Sequence, residues 1–185
     1  MDHITIFLIQ QPLASAQAML NRSVQQYAME HGIPYRPCRL VHPQKGRPYL
    51  EPSCGMEVSI THSADYWACA VSTQPVGLDL QQKKNRNLSG IAGRFFHPDE
   101  AEFLKQGEYA NFFAVWTAKE AYVKYTGEGI SNEFGNFSVV QNGALADGVG
   151  DAQLRFYPVA DDYTLCLCAK QIGEVTLRFC LGDAF

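Results

Sequence analysis

One short run, WTAKEAYVK (Trp116 to Lys124), places a carboxylate between two lysines on a single helical stretch. Ala, Lys and Glu favour helix, and neither Gly nor Pro interrupts. At about 100° per residue, Trp116, Lys119, Glu120, Val123 and Lys124 share one side. Ala118, Ala121, Tyr122 and Tyr125 cover the other, and FFAVW precedes the run, so the helix is apolar nearly all round and predicts burial. A surface Glu120–Lys124 pair would contribute only about 0.2–0.5 kcal/mol, a poor reason for charge in so apolar a helix. A second carboxylate, Asp79, lies in VGLDLQ. The strand period of two puts Val76, Leu78 and Leu80 on one face and Gly77, Asp79 and Gln81 on the other. Gly77 beside the carboxylate allows a ligand to approach closely. Asp79 and Glu120 together suit a hard cation such as Mg²⁺, which takes few protein oxygens and keeps phosphate and water as its other ligands. Lys119 and Lys124 would then be phosphate partners. The same residue types also build Mg²⁺-dependent nuclease sites. Thr61, His62 and Ser63 close another strand with three hydrogen-bonding side chains, and with the nearby turn around Gly46, flanked by Lys45 and Arg47, they could bind phosphate.

The elements that must position these groups are legible in outline. ITIFLI reads as a strand, followed by a helix from about Leu13 to Glu30 that stops at Gly32. HPQKGRPYLEP is turn-rich. MEVSITHS, DYWACAVS and VGLDLQ are strands, and Ser89 to Phe96 is a short helix. His97-Pro98-Asp99-Glu100 is a helix start, with Pro near N1 and acids in the first turn. The long helix runs from Asn111 to Tyr125 and ends at TGEGIS. FSVV, AQLRFYPV, DYTLCLCAK and EVTLRFCL are strands. Asp65, Tyr66 and Cys69 recur at one constant offset as Asp162, Tyr163 and Cys166, and the same offset lays VGLDL over GEVTL. This echo predicts two similar lobes, residues 1–81 and 82–185.

The chain has 185 residues, 46% hydrophobic and 18% charged, with a net charge of −4. That is enough for one large domain or two small lobes. The acidic balance argues against nucleic-acid binding, which wants a basic face. No apolar run reaches the ~18 residues of a membrane span, and the N-terminus has no basic n-region of a signal peptide. The six cysteines form no CxxC and four lie in apolar strand-like runs, so reduced, buried thiols in a cytoplasmic protein are expected.

In order, GRPYLEP, VSITHSADYWACAVS, VGLDLQ, RFFHPDEAEFL and FFAVWTAKEAYVKYTGEGIS resemble the 4′-phosphopantetheinyl transferases of the surfactin-synthetase-activating type. That family shows G-[KR]-P, an [ST]-H-S strand end, a G-[IV]-D strand, R-F-F-x-x-x-E and W-[ST]-x-K-E-[AS]-x-x-K followed by G-x-G. The resemblance is continuous from about Lys45 to Ser138. It implies an α+β fold of two pseudo-symmetric lobes, each a long helix packed on a small antiparallel sheet, with the active site between them. It implies transfer of 4′-phosphopantetheine from coenzyme A to a serine of an apo acyl or peptidyl carrier protein, with Mg²⁺, releasing adenosine 3′,5′-bisphosphate. By motif position Asp79 and Glu120 would hold Mg²⁺ and Lys124 would contact phosphate, with Lys119 beside it. Thr61 and His62 would take other coenzyme phosphates, and Lys45 and Arg47 would lie near the nucleotide. Glu100 matches a position proposed as base for the carrier serine. Two departures stand out. Gln81 occupies a position where the family often has an acid, so a neutral amide oxygen would complete the metal site at the loss of one charge. The segment before Lys45 is short and offers only Arg22, Arg36 and Arg39 toward the nucleotide. A basic rim for an acidic carrier is expected at Lys83 to Arg86. Two lobes in one chain complete the site, so a monomer is expected. An Mg²⁺ nuclease and a non-catalytic coenzyme A or carrier-protein binder are the alternative readings.

Overall fold

The computed structural model describes residues 3–84, 87–128 and 132–182. Asn85 and Arg86 of the expected basic rim and Gly129 to Ser131 of TGEGIS lie outside the described residues. In chain order the elements are β1 (His3–Gln10), α1 (Ala16–His31), β2 (Arg39–Val41), β3 (Tyr49–Glu51), β4 (Glu57–Ser63), β5 (Tyr66–Ser72) and β6 (Val76–Gln82). Then come α2 (Leu88–Phe95), α3 (Pro98–Gln106), α4 (Phe112–Thr126), β7 (Val140–Gln141), β8 (Ala144–Leu145), β9 (Gly148–Val149), β10 (Ala152–Tyr157), β11 (Tyr163–Ala169) and β12 (Glu174–Leu181).

Two four-stranded sheets, ordered β12-β1-β5-β4 and β6-β11-β10-β9, lie face to face. Strand alternation assigns their side chains to layers. Ile4, Ile6 and Leu8 of β1, with Ala68 and Ala70 of β5, meet Leu78 and Leu80 of β6 and Leu165 and Leu167 of β11 between the sheets. The opposite faces take the helices. Phe7, Ile9, Trp67, Cys69 and Val71 pack on Leu20, Val24 and Tyr27 of α1. Cys166 and Cys168 pack on Val115, Ala118 and Ala121 of α4. The architecture is mixed α+β, with helix, sheet, sheet and helix in succession.

Two features differ from the sequence reading. The first sheet is mixed, because β12 runs parallel to β1, from His3 opposite Glu174 to Gln10 opposite Leu181. The expected segments 1–81 and 82–185 also exchange a strand: β6 pairs with β11, and β12 returns to pair with β1. Alternation fixes which face a side chain takes but not which strand lies beside it.

Helix ends follow local chemistry. Helix α1 begins three residues after the expected start because the Ser15 hydroxyl accepts the Ala18 N–H at 3.3 Å. Gly32 closes it in the left-handed region. At α3, His97 Nδ1 accepts the Asp99 N–H, and the Glu100 carboxylate accepts the His97 N–H at 3.0 Å, a reciprocal cap with Pro98 at N1. Of the expected strand FSVV, only its last residue, Val140, lies in a strand, β7.

Candidate active site

The site starts from a seam between two strands of different sheets. Ser59, Thr61 and Ser63 alternate along β4, and their hydroxyls accept the N–H groups of Leu78, Leu80 and Gln82 on β6 at 2.8, 3.2 and 2.9 Å. Side-chain oxygens thus replace the backbone ladder that β6 would need on this edge, and no buried N–H is left without an acceptor there. The seam fixes β6 so that Asp79 faces α4. Gly77, two residues earlier on the same face, makes room for the helix: a Cβ there would stand 2.0 Å from the Ala121 carbonyl oxygen and 2.6 Å from the Tyr125 nitrogen. The close approach expected of a ligand at Gly77 is made by α4 itself.

Asp79 is 2% exposed and fully engaged. Its Oδ1 accepts the Lys124 ammonium at 2.8 Å and the Thr61 hydroxyl at 3.2 Å, and its Oδ2 accepts the Gln81 amide N–H at 3.1 Å. The Lys124 ammonium also donates to the Leu78 and Ile60 carbonyls at 3.0 and 3.5 Å, tying α4 to β6 and β4 together. Glu120, one turn before Lys124, has no hydrogen bond or ion pair to any described residue. Burial, and then the charge of Asp79, push its carboxyl up to about 7, with Lys124 opposing.

These groups surround one cleft of about 420 Å³. Of the residues singled out in the sequence, Thr61, His62, Ser63, Asp79, Gln81, Glu120 and Lys124 line it. Its other wall is aromatic, from Phe112, Phe113 and Trp116, and Lys84 stands at its polar side. The sequence reading used those aromatics only as evidence of burial. Their signal was the run FFAVW one to two turns ahead of Glu120.

Four expected site residues lie elsewhere. Glu100 and Lys119 are wholly buried and form an ion pair at 2.9 Å. The Lys119 ammonium also donates to the Phe137 carbonyl at 2.7 Å and lies 3.9 Å from the centre of the Phe137 ring. Burial lowers its pKa, and Glu100 opposes that. Glu100 further accepts the Val139 N–H at 2.8 Å. With its oxygens bonded to His97, Val139 and Lys119, and no exposed surface, Glu100 stands outside the lining of the cleft. The pair instead locks α3 to α4 and to the strand-entry segment before β7. Lys119 parts from Lys124 because, at about 100° per residue, five positions separate them by 140°. Lys45 is exposed on its turn. Arg47 lies outside the cleft lining and donates to the Tyr125 carbonyl at 3.1 Å, near the C-terminus of α4.

Chemically, the cleft offers the carboxylates of Asp79 and Glu120 and the amides of Gln81 and Gln82, all hard oxygen donors, beside the ammonium groups of Lys124 and Lys84. Among the described residues no three of His, Cys, Asp and Glu gather as a metal cluster, so a cation held here draws on two carboxylates and keeps other ligands, as Mg²⁺ does. Glu120, poorly compensated and open to the cleft, and the unbonded oxygen of the Gln81 amide fit such an ion. All six cysteines are free. Burial pushes the Cys38 thiol up to about 11 and raises Cys69, Cys166 and Cys168 as well, so these four are not thiolates at neutral pH. Among the described residues no helix is long and apolar enough to cross a membrane.

Comparison with known proteins bears on the same segments. Residues 75–168 match the 4′-phosphopantetheinyl transferase superfamily, a span from the start of β6 through β11. A 4′-phosphopantetheinyl transferase of Bacillus subtilis is 33% identical over 136 residues, covering 67% of this chain and 59% of that protein. The 4′-phosphopantetheinyl transferase gsp of Aneurinibacillus migulanus is 31% identical over 101 residues, 52% of this chain and 41% of its own. The 4′-phosphopantetheinyl transferase HetI of Nostoc sp. is 36% identical over 96 residues, 47% and 40% respectively. The chain therefore spans less than two thirds of the length of these relatives.

Proposed function

Because the chain belongs to the 4′-phosphopantetheinyl transferase superfamily, we propose that it moves 4′-phosphopantetheine from coenzyme A to a serine of an apo acyl or peptidyl carrier protein, releasing adenosine 3′,5′-bisphosphate. The observation that carries this reading is the convergence of Asp79, Gln81, Glu120 and Lys124 on one cleft inside the matched span. Mg²⁺, held by Asp79 and Glu120 with the Gln81 amide oxygen, would neutralise charge on the pyrophosphate as the transferred group changes hands. Lys124 supplies a second positive charge at the same wall, and compensates Asp79 when no cation is shared with it. His62 and Lys84 line the polar side, where further coenzyme phosphates would sit, and the aromatic wall faces them. Glu100 and Lys119 hold the helices rather than the substrates, so the serine proton leaves to a group of the cleft or to solvent and not to Glu100. One chain supplies every group of this site.

The two sheets, each with its long helix, are read as pseudo-symmetric lobes with the cleft between them. The echo residues support this: Tyr66 and Tyr163 meet edge to face, their ring centres 4.7 Å apart, as equivalent residues beside a local two-fold axis would. Free cysteines support a reducing compartment such as the cytoplasm.

The test incubates the protein with apo carrier proteins of fatty-acid, polyketide and peptide type, coenzyme A and Mg²⁺, and weighs each carrier. A mass gain of one phosphopantetheine arm, lost on chelation, is the expected result. No gain on any carrier, with a known transferase modifying the same preparations, overturns the reading.

A further inference from the structure

Strand β12 ends the first sheet, and among the described residues no strand pairs with its outer side. The Gly182 N–H donates to the Gln10 carbonyl, beside the Gln10–Leu181 pairing. Alternation then turns the backbone groups of Glu174, Thr176, Arg178 and Cys180 toward β1. It leaves the N–H and C=O groups of Val175, Leu177, Phe179 and Leu181 along the open edge. Phe179 and Leu181 are 57% and 59% exposed. Edges of this length are ordinarily blunted by charge, Pro or a bulge. Here the edge carries only Glu174 and Arg178, opposite in sign, on one face, and equally spaced about Thr176.

In place of the monomer expected from the sequence, we propose that this edge pairs with the same edge of a second copy, antiparallel, about a two-fold axis through Thr176, joining the two first sheets into one. In that register Glu174 lies opposite Arg178 of the partner subunit, and the symmetry repeats the pair. Val175 lies opposite Leu177 of the partner subunit, in a hydrogen-bonded position. Moving the axis to Leu177 sets Glu174 against Cys180 of the partner subunit, and moving it to Arg178 sets that arginine against itself. Only the axis at Thr176 matches the charges. Both residues have capacity for the new contact: among the described residues Glu174 meets only His3, at 3.7 Å, and Arg178 bonds Glu30 through Nη2 alone. A two-fold interface of one patch on itself is the commonest closed assembly. β4, which borders the cleft, forms the opposite end of the sheet, so each copy keeps its own site open.

Sedimentation of the purified protein across a concentration series is expected to show a reversible dimer. Phe179→Lys, at an exposed side chain, is expected to keep the far-UV spectrum and weaken dimerisation about tenfold or more. The axis makes Thr176 its own neighbour in a non-hydrogen-bonded pair, with Cα atoms about 4.5 Å apart, close enough for a disulfide. With glutathione disulfide as oxidant, two Thr176→Cys thiols form one intersubunit disulfide and release two glutathione thiols. This variant is expected to cross-link faster than Glu174→Cys and than the wild type, whose native cysteines set the background. A wild type that stays monomeric at every concentration, a Phe179→Lys variant that dimerises unchanged, or Thr176→Cys cross-linking no faster than Glu174→Cys each overturns the proposal.

Discussion

Glu120 and Glu100 show how neighbouring motifs assign one residue type to two tasks. Glu120 faces the cleft without a bonded partner, and its carboxyl is pushed up to about 7 by burial first and Asp79 second. The folded protein therefore holds this proton more tightly than the unfolded chain, whose carboxyl titrates near 4.5. Raising pH from about 4.5 to about 7 costs metal-free stability, and the loss is complete above that window. Measured against Glu120→Gln by chemical denaturation at each pH, the wild type is expected to fall behind by on the order of 3 kcal/mol across it. A flat difference contradicts the assignment. Mg²⁺ binding below pH 7 should release up to one proton per ion, readable by calorimetry in buffers of different ionisation heat. Glu100, by contrast, is saturated and buried with Lys119. Glu100→Gln and Lys119→Met are each expected to cost about 3–5 kcal/mol, because a buried charge loses its partner. The double variant should cost less than the two together. Transfer per folded molecule should change little in Glu100→Gln. A stable Glu100→Gln that has lost turnover would restore Glu100 as a base.

At the scale of elements, β6 and α4 do most of the positioning. The faces of β6 were legible from alternation alone, and the burial of α4 from its apolar surroundings. The division of labour on α4 was not, because a helical projection placed Lys119, Glu120 and Lys124 on one broad side. Only contacts from α3 on one flank and β6 on the other separate them. The hydroxyl seam of Ser59, Thr61 and Ser63 was equally hidden, since it joins strands that share no ladder. The helix–strand contact at Gly77 gives the sharpest test. Gly77→Ala would drive a methyl into the Ala121 carbonyl, backbone that cannot swing aside. It is expected to cost about 3 kcal/mol or more, and to lose divalent-ion affinity through displacement of Asp79 relative to Glu120. Thermal melts and calorimetric titration of the same variant check both, and wild-type values in either would show that α4 stands off from the strand.

On the scale of the whole molecule, the sequence conveyed the α+β class, nearly every major element and the polar residues of the cleft on β4, β6 and α4, though not its aromatic wall, because each rests on local pattern or motif. Strand partners were beyond it. Nothing in EVTLRFCL states that it will lie parallel to ITIFLI, and nothing in VGLDLQ that it will leave β5 for β11. Those exchanges bind both sheets into one cooperative unit. Denaturant unfolding is expected to be a single transition, with Trp fluorescence, which reports Trp67 beside α1 and Trp116 beside the cleft, coinciding with far-UV signal. Separate transitions for the two tryptophans would show that the sheets open independently.

The pairing of β1 with β12 also sets a timetable. Strand β1 acquires one of its two neighbours only when β12, far along the chain, has emerged, and at about 5–20 residues per second that wait lasts many seconds. Until then β1 shows a bare hydrogen-bonding margin, and β6 lacks β11 for most of the same interval. Nascent chains of this protein thus cannot finish folding until β12 is made, and a chain stalled ahead of β12 should be open to protease and dependent on chaperones.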